Sequence, residues 1–255
     1  MKVRSAIILA GGLGTRLRAS VPDLPKPMAP VAGRPFLEYQ LDYWIRQGIS
    51  RFVLSVGYRH EAIVDYFGSL YKGVELDYVI EPSALGTGGG LLLAAEKLDG
   101  AEPFLLLNGD TYFAVNLKVL SEFSVANDAD WCFSLFRAAE KDRYMGMELA
   151  PGGRVTALNS SLAPSGRMAN GGVYWVNPRV LRCRANKSAP GESLSLEDEL
   201  LPASLAAGQR LFGIDFAESI FIDIGMPADY HRAADLLAAP EVHKPGVAKI
   251  SHDQS

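Results

Sequence analysis

A chain of 255 residues, 48% hydrophobic and 21% charged, is long enough for one large domain or two small ones and has the makeup of a globular α/β protein. Its formal charge of -4 argues against nucleic acid as a main partner, because binders of phosphate backbones are usually basic. Cys132 and Cys183 show no paired metal-ligand spacing and the four histidines are scattered, so reduced thiols are expected and a zinc site is not.

The first apolar run, residues 5–10, reads as a central strand covered on both faces. It is too short for a signal-peptide core, and no later stretch could span a bilayer, so a cytoplasmic protein without a membrane partner is expected. Residues 11–35 form a long connection carrying Pro22, Pro25, Pro27, Pro30 and Pro35. A connection of that length inside a compact domain is usually functional. Pro35 opens a helix whose buried face is Leu37, Leu41, Trp44 and Ile45, with Gly48 as its stop. A strand over 52–56, a helix over 61–67 and a strand over 76–80 follow. A glycine-rich loop then leads into a helix over 91–98, and a buried strand over 104–107 ends in Asn108-Gly109-Asp110. Strands alternating with helices imply a doubly wound, parallel sheet. In such sheets ligands bind beyond the carboxyl ends of the strands.

The second half is less regular. A helix over 117–126 precedes strands over 131–136, 146–149, 155–158 and 171–176. A helix over 196–207 is interrupted near Pro202, residues 211–215 and 219–222 resemble a hairpin, and 227–238 form a closing helix. The polar tail over 241–255 is expected to be disordered. The chain thus reads as one domain over 1–240, with a nucleotide-binding half of about 1–115 and an acceptor-binding half of about 116–240.

Three loops follow strands and should meet in space: the first glycine loop, the loop opened by Glu81, and Asn108-Gly109-Asp110. In the first, Gly11-Gly12-Leu13-Gly14-Thr15-Arg16 lets the backbone approach a ligand closely and then supplies a cation suited to phosphate. It has neither the Walker spacing nor the dinucleotide fingerprint, and a tight turn with an incidental arginine is the plain alternative. Lys26, between two prolines, is either a solvated loop lysine or an amine held where charge develops. Asp110 suits magnesium, which takes few carboxylates plus phosphate oxygens and water, or is a turn aspartate. Asp223, enclosed by Phe221, Ile222 and Ile224, needs a partner or a metal, and together the two aspartates suggest a shared magnesium ion.

Leu9-Ala10-Gly11-Gly12-Leu13-Gly14-Thr15-Arg16-Leu17, Pro25-Lys26-Pro27, Leu85-Gly86-Thr87-Gly88-Gly89, Asn108-Gly109-Asp110, Asn170-Gly171-Gly172-Val173-Tyr174 and Ile222-Asp223-Ile224-Gly225 resemble, in order and spacing, the sugar-1-phosphate nucleotidylyltransferases. Within that family the stretches Val21-Pro22-Asp23-Leu24-Pro25-Lys26-Pro27 and Leu54-Ser55-Val56-Gly57-Tyr58 are most similar to the guanylyltransferases of a heptose 1-phosphate. The resemblance implies a Rossmann-like doubly wound mixed sheet of the glycosyltransferase-A-like kind. It implies an enzyme that moves GMP from GTP to D-glycero-α-D-manno-heptose 1-phosphate, with Mg2+, for a bacterial surface glycan such as lipopolysaccharide or capsule. Mannose 1-phosphate with GTP, or an N-acetylated sugar 1-phosphate with UTP, is the alternative within the family. A silent regulatory homologue that binds a nucleotide sugar, or a simple nucleotide-binding module, is the alternative outside it. Self-association into a homodimer is left open.

Carried over residue by residue, the resemblance places the nucleotide on Leu9, Ala10, Gly11, Gly12, Gly14, Thr15, Arg16, Lys26, Glu81, Gly86, Thr87 and Asp110. Arg16, Lys26, Asp110 and Asp223 are its catalytic group, Asp110 and Asp223 its metal ligands, and Gly146, Asn170 and Glu197 its sugar contacts. Glu81 stands where relatives read the base. A carboxylate there suits the paired donors of guanine, and a side chain that points to solvent or caps the following helix is the alternative. Ser160-Ser161 departs from the family, which commonly has a Glu-Lys pair at this point; Arg167 or another basic residue is the replacement cation to look for. For Glu197 a capping box from Ser195 to Asp198, or a solvated first turn, is the competing reading.

Overall fold

The computed structural model describes residues 2–12, 14, 17, 21–138, 143–159, 168–182, 193–238 and 244–249. The strands are Ser5–Ala10 (β1), Pro30–Val31 (β2), Arg34–Pro35 (β3), Arg51–Val56 (β4), Leu70–Tyr71 (β5), Val74–Ile80 (β6), Phe104–Asn108 (β7), Thr111–Phe113 (β8), Trp131–Arg137 (β9), Gly146–Leu149 (β10), Val155–Asn159 (β11), Met168–Val176 (β12), Leu211–Asp215 (β13) and Phe221–Asp223 (β14). The helices are Phe36–Arg46 (α1), His60–Phe67 (α2), Gly86–Ala95 (α3), Leu117–Ala126 (α4), Arg179–Arg182 (α5), Leu201–Ala206 (α6) and Pro227–Ala238 (α7). One wide-turned helical segment, Leu196–Leu200, runs straight into α6.

The main sheet runs β11-β10-β12-β7-β1-β4-β6-β5, with β9 pairing β12 and β13 beside β9. The β7-β1-β4-β6 core is parallel, and β12 joins β7 antiparallel, so the Rossmann-like sheet is mixed. Register explains why these strands read as unbroken apolar runs. Ile7, Val53 and Leu106 stand abreast on one face, and Ile8, Leu54 and Leu107 abreast on the other. The first row packs under α3, Leu196 and Leu200. The second packs under α1, α2, α4 and α7. Helices on both faces leave the carboxyl ends of β1, β4, β6 and β7 as the open edge. Among the described residues no helix is long and apolar enough to cross a membrane.

Three local features differ from the sequence reading. Helix α3 begins at Gly86, inside the stretch read as a loop. The Leu194 carbonyl accepts the Gly88 N–H at 2.8 Å and the Gly89 N–H at 3.3 Å, and this contact overrides the poor helix propensity of glycine. Residues 211–215 and 219–222 are not a hairpin. β13 pairs parallel with β9, whereas β14 turns away and pairs antiparallel with β8. That small ribbon sets Asp223 opposite Thr111 and so beside Asp110. Finally, residues 244–249 of the tail lie against the body, through Gly246 N–H to Ala114 O at 2.7 Å and Lys249 N–H to Asp215 O at 2.8 Å. The remainder of the tail is outside the described residues.

Candidate active site

The open edge holds a cavity of about 300 Å³. Leu9, Ala10, Gly11, Gly12 and Gly14 wall it on the β1 side, Glu81, Gly86 and Thr87 on the β6 side, and Lys26 and Asp110 at one end. Thr15 and Arg16 lie outside the described residues, as do Ser160, Ser161 and Arg167. Pro27 and Ala84 also line the cavity, as do Asn108 and Gly109. The Asn108-Gly109-Asp110 motif points to them, although the site residues drawn from it stop at Asp110.

Glu81 leaves β6 and turns into the cavity rather than to solvent. Its Oε1 accepts the Ser55 hydroxyl at 2.8 Å, and its Oε2 accepts the Leu85 N–H at 3.3 Å. Gly11 has to be glycine for this arrangement, since a Cβ there would run into the Glu81 carboxylate. Capping and cavity lining are therefore not exclusive. One oxygen touches the α3 N-terminus while the group stays on the cavity wall.

Lys26 sits on a single 3-10 turn, Lys26–Met28, between Pro25 and Pro27. The prolines fix the backbone, and Met28 N–H to Pro25 O at 2.8 Å closes the turn. Lys26 Nζ then reaches Asp110 Oδ2 at 2.8 Å. Asp110 itself is held from below. Buried Gln40 of α1 donates its amide to Asn108 O at 2.8 Å and also to Thr111 O, which pins the turn on both sides of Asp110.

Asp223 arrives on β14. Its Oδ1 accepts the Gly225 N–H at 2.7 Å, and its Oδ2 accepts from Arg143 Nη2 at 3.1 Å. A methyl group on Gly225 would sit 2.7 Å from Asp223 Oδ1, 3.0 Å from Lys26 Nζ and 3.5 Å from Asp110 Oδ2. One ammonium and two carboxylates thus converge on that Cα. Burial and the nearby charge of Asp110 push the Asp223 carboxyl above its usual range, and Arg143 and the Gly225 N–H pull it back. Two carboxylates that repel each other next to an open cavity form a donor set suited to a hard cation. Magnesium fits, because it takes one or two carboxylates and fills its other positions with phosphate oxygens and water. Arg143 has no sequence signal; it stands among Lys141, Asp142 and Tyr144 and reads as part of a solvated charged run.

Of the residues expected at the sugar, Asn170 and Glu197 share a hydrogen-bond network. Asn170 of β12 donates Nδ2 to the Tyr174 hydroxyl at 2.6 Å, and that hydroxyl donates to Glu197 Oε1 at 3.4 Å. Glu197 Oε2 accepts the Thr87 hydroxyl at 2.8 Å. The Thr87 oxygen in turn accepts the Leu196 N–H at 2.9 Å. Thr87 therefore lines the cavity with its hydroxyl proton already given to Glu197. Burial raises the Glu197 carboxyl, and the Thr87 and Tyr174 hydroxyls oppose the shift. The capping box is present as well, with Ser195 Oγ accepting the Asp198 N–H at 3.0 Å, which leaves Glu197 turned inward. Gly146 opens β10 beside Ala169, and Asn170 N–H donates to Met145 O at 3.0 Å, so Gly146 and Asn170 are neighbours across the sheet. Neither borders the cavity described above.

A cavity at the carboxyl edge of a Rossmann-like sheet, with Lys26 and Asp110 on its wall and Asp223 beside them, suits an enzyme that handles a nucleotide. The chain belongs to the nucleotidyl transferase family, which it matches over residues 5–239. It is 40% identical to the D-glycero-alpha-D-manno-heptose 1-phosphate guanylyltransferase of Aneurinibacillus thermoaerophilus, over 89% of this chain and 96% of that one. It is 34% identical to the protein of the same description from Campylobacter jejuni, again over 89% and 96%. Among solved structures it resembles HddC from Yersinia pseudotuberculosis, complexed with GMP-PN, with a TM-score of 0.77 at 29% identity over 91% of this chain and 99% of that one.

Proposed function

We infer that the protein transfers GMP from GTP to D-glycero-α-D-manno-heptose 1-phosphate and releases pyrophosphate. The observation that carries the transfer chemistry is the convergence of Lys26, Asp110 and Asp223 on Gly225. The heptose reading rests on likeness to the two guanylyltransferases named above, each covered almost end to end.

The sugar phosphate oxygen is already anionic near neutral pH, so its attack on the α-phosphorus needs no general base. The barrier is to bring two polyanions into line and to stabilise the leaving pyrophosphate. Lys26 supplies a fixed positive charge beside Asp110, and the loop of Gly11, Gly12 and Gly14 lets the triphosphate come close to the backbone. Arg16 is assigned to the outer phosphates. Asp110 and Asp223 would hold Mg2+, which when bound offsets phosphate charge as it develops. Gly146, Asn170 and Glu197 are assigned to the sugar. Use of GTP as donor fits a cytoplasmic location.

The test is a matrix of nucleoside triphosphates against sugar 1-phosphates, with Mg2+, read as pyrophosphate release that requires both substrates. GTP with the heptose 1-phosphate is expected to give the highest kcat/KM. A higher value for GTP with mannose 1-phosphate, or for UTP with an N-acetylated sugar, overturns the substrate reading. Asp110→Asn is expected to lower turnover roughly 100-fold or more with an unchanged circular dichroism spectrum. Near-normal turnover in the folded variant would remove Asp110 from the metal site.

A further inference from the structure

Ser55 lies near the carboxyl end of β4, 0% exposed, with Leu54 and Val56 as its apolar neighbours. A buried hydroxyl requires a partner, and here the partner is a carboxylate, Glu81 Oε1 at 2.8 Å. Leu85 N–H engages the other oxygen at 3.3 Å. On the third side, a Cβ at Gly90 would stand 3.0 Å from both Glu81 Oε1 and Ser55 Oγ, so the backbone of α3 closes over the pair. Glu81 has little room to rotate.

The acceptor count then becomes specific. An ionised carboxylate offers about four acceptor positions, two on each oxygen. Ser55 uses one on Oε1 and Leu85 one on Oε2, which leaves one on each oxygen of a residue that lines the cavity. The complementary edge has two adjacent donors. Guanine has such an edge, N1–H beside the exocyclic amine. Adenine and cytosine set an amine beside a ring-nitrogen acceptor, and uracil sets one N–H between two carbonyls. We propose that Ser55 is a positioning residue for base choice: it fixes the Glu81 carboxylate so that both remaining acceptor positions meet guanine, and selection belongs to the Ser55–Glu81 pair. The proposal rests on the GTP reading given above.

Inosine triphosphate is the discriminating probe, because it keeps N1–H and lacks the exocyclic amine. The ratio of kcat/KM for GTP to that for ITP is measured in the unaltered enzyme, Ser55→Ala, Ser55→Cys and Glu81→Gln, with thermal denaturation of each. The unaltered enzyme is expected to favour GTP roughly tenfold to a hundredfold. Ser55→Ala is expected to shrink that ratio several-fold by raising the KM for GTP, with the KM for the sugar phosphate unchanged. Ser55→Cys, of similar shape with a weaker donor, is expected to fall between and gives the reading if the alanine variant is unstable. If Glu81→Gln abolishes the preference while folded Ser55→Ala and Ser55→Cys keep the original ratio, the role of Ser55 is overturned and Glu81 stands. If Glu81→Gln keeps the preference, the base-reading role of Glu81 falls and that of Ser55 with it.

Discussion

Arg143 bonds two carboxylates at once, Asp223 at 3.1 Å and Asp229 at 2.5 Å, and the three side chains are only 13%, 16% and 14% exposed. Lys26 and Asp110 form a looser pair, 20% and 31% exposed. The difference in burial separates their roles in stability. Removing one partner of a largely buried pair leaves an uncompensated charge, whereas a wetter pair is solvated when broken. Arg143→Met is therefore expected to cost about 2–3 kcal/mol of stability, seen as a melting temperature lower by roughly 5–10 °C, together with loss of turnover. Lys26→Met is expected to lose turnover with a much smaller shift in melting temperature. Equal shifts in the two variants would show that burial does not distinguish these pairs.

At the scale of elements, the glycine-rich start of α3 is a joint between the cavity wall and the segment 194–200. Leu85 O accepts the Leu194 N–H at 2.8 Å, Leu194 O accepts from Gly88, and Thr87 bonds Glu197. Gly86 has φ +72, and a Cβ on it would lie 2.5 Å from Leu194 O. Gly86→Ala is expected to cost about 1–3 kcal/mol and to raise KM for both substrates, measured by denaturant unfolding and steady-state kinetics. An increase confined to one substrate would show that the joint serves that substrate alone. The same joint marks where sequence reading stops. β1, β4 and β7 are legible because strands covered on both faces must be apolar throughout, and α4 because Asn116 caps an amphipathic run by accepting the Val119 N–H at 3.2 Å. The first turn of α3 is not legible, because glycine signals a loop unless a distant carbonyl caps it. The β8–β14 ribbon is not legible either, with three residues in each strand and no period to detect. The cavity wall follows from topology, since its loops leave neighbouring strands of one sheet. The aim of Glu81 and the grip of Arg143 depend on partners far away in sequence, so local patterning carries no trace of them.

For the whole molecule, the decisive fact is that the two halves share one sheet. β7 lies between β1 of the first half and β12 of the second, with Leu106 paired to Ile7 on one side and to Tyr174 on the other. We infer that the halves are not separable folding units. A single calorimetric transition is expected, with calorimetric and van't Hoff enthalpies in agreement, and a fragment of residues 1–115 is expected not to fold. Two resolved transitions, or a folded fragment, would show independent domains.

The position of β7 also bears on how the chain is made. Phe104, Leu105, Leu106 and Leu107 are buried in the finished protein, and β12 covers one side of that strand. On the ribosome, β12 is synthesised about 60 residues after β7, a delay of several seconds at ordinary elongation rates. Through that interval the nascent chain presents a bare apolar strand edge, the kind of surface that pairs with other chains. Its time of greatest exposure to aggregation, and greatest use for a chaperone, therefore falls during synthesis of the second half.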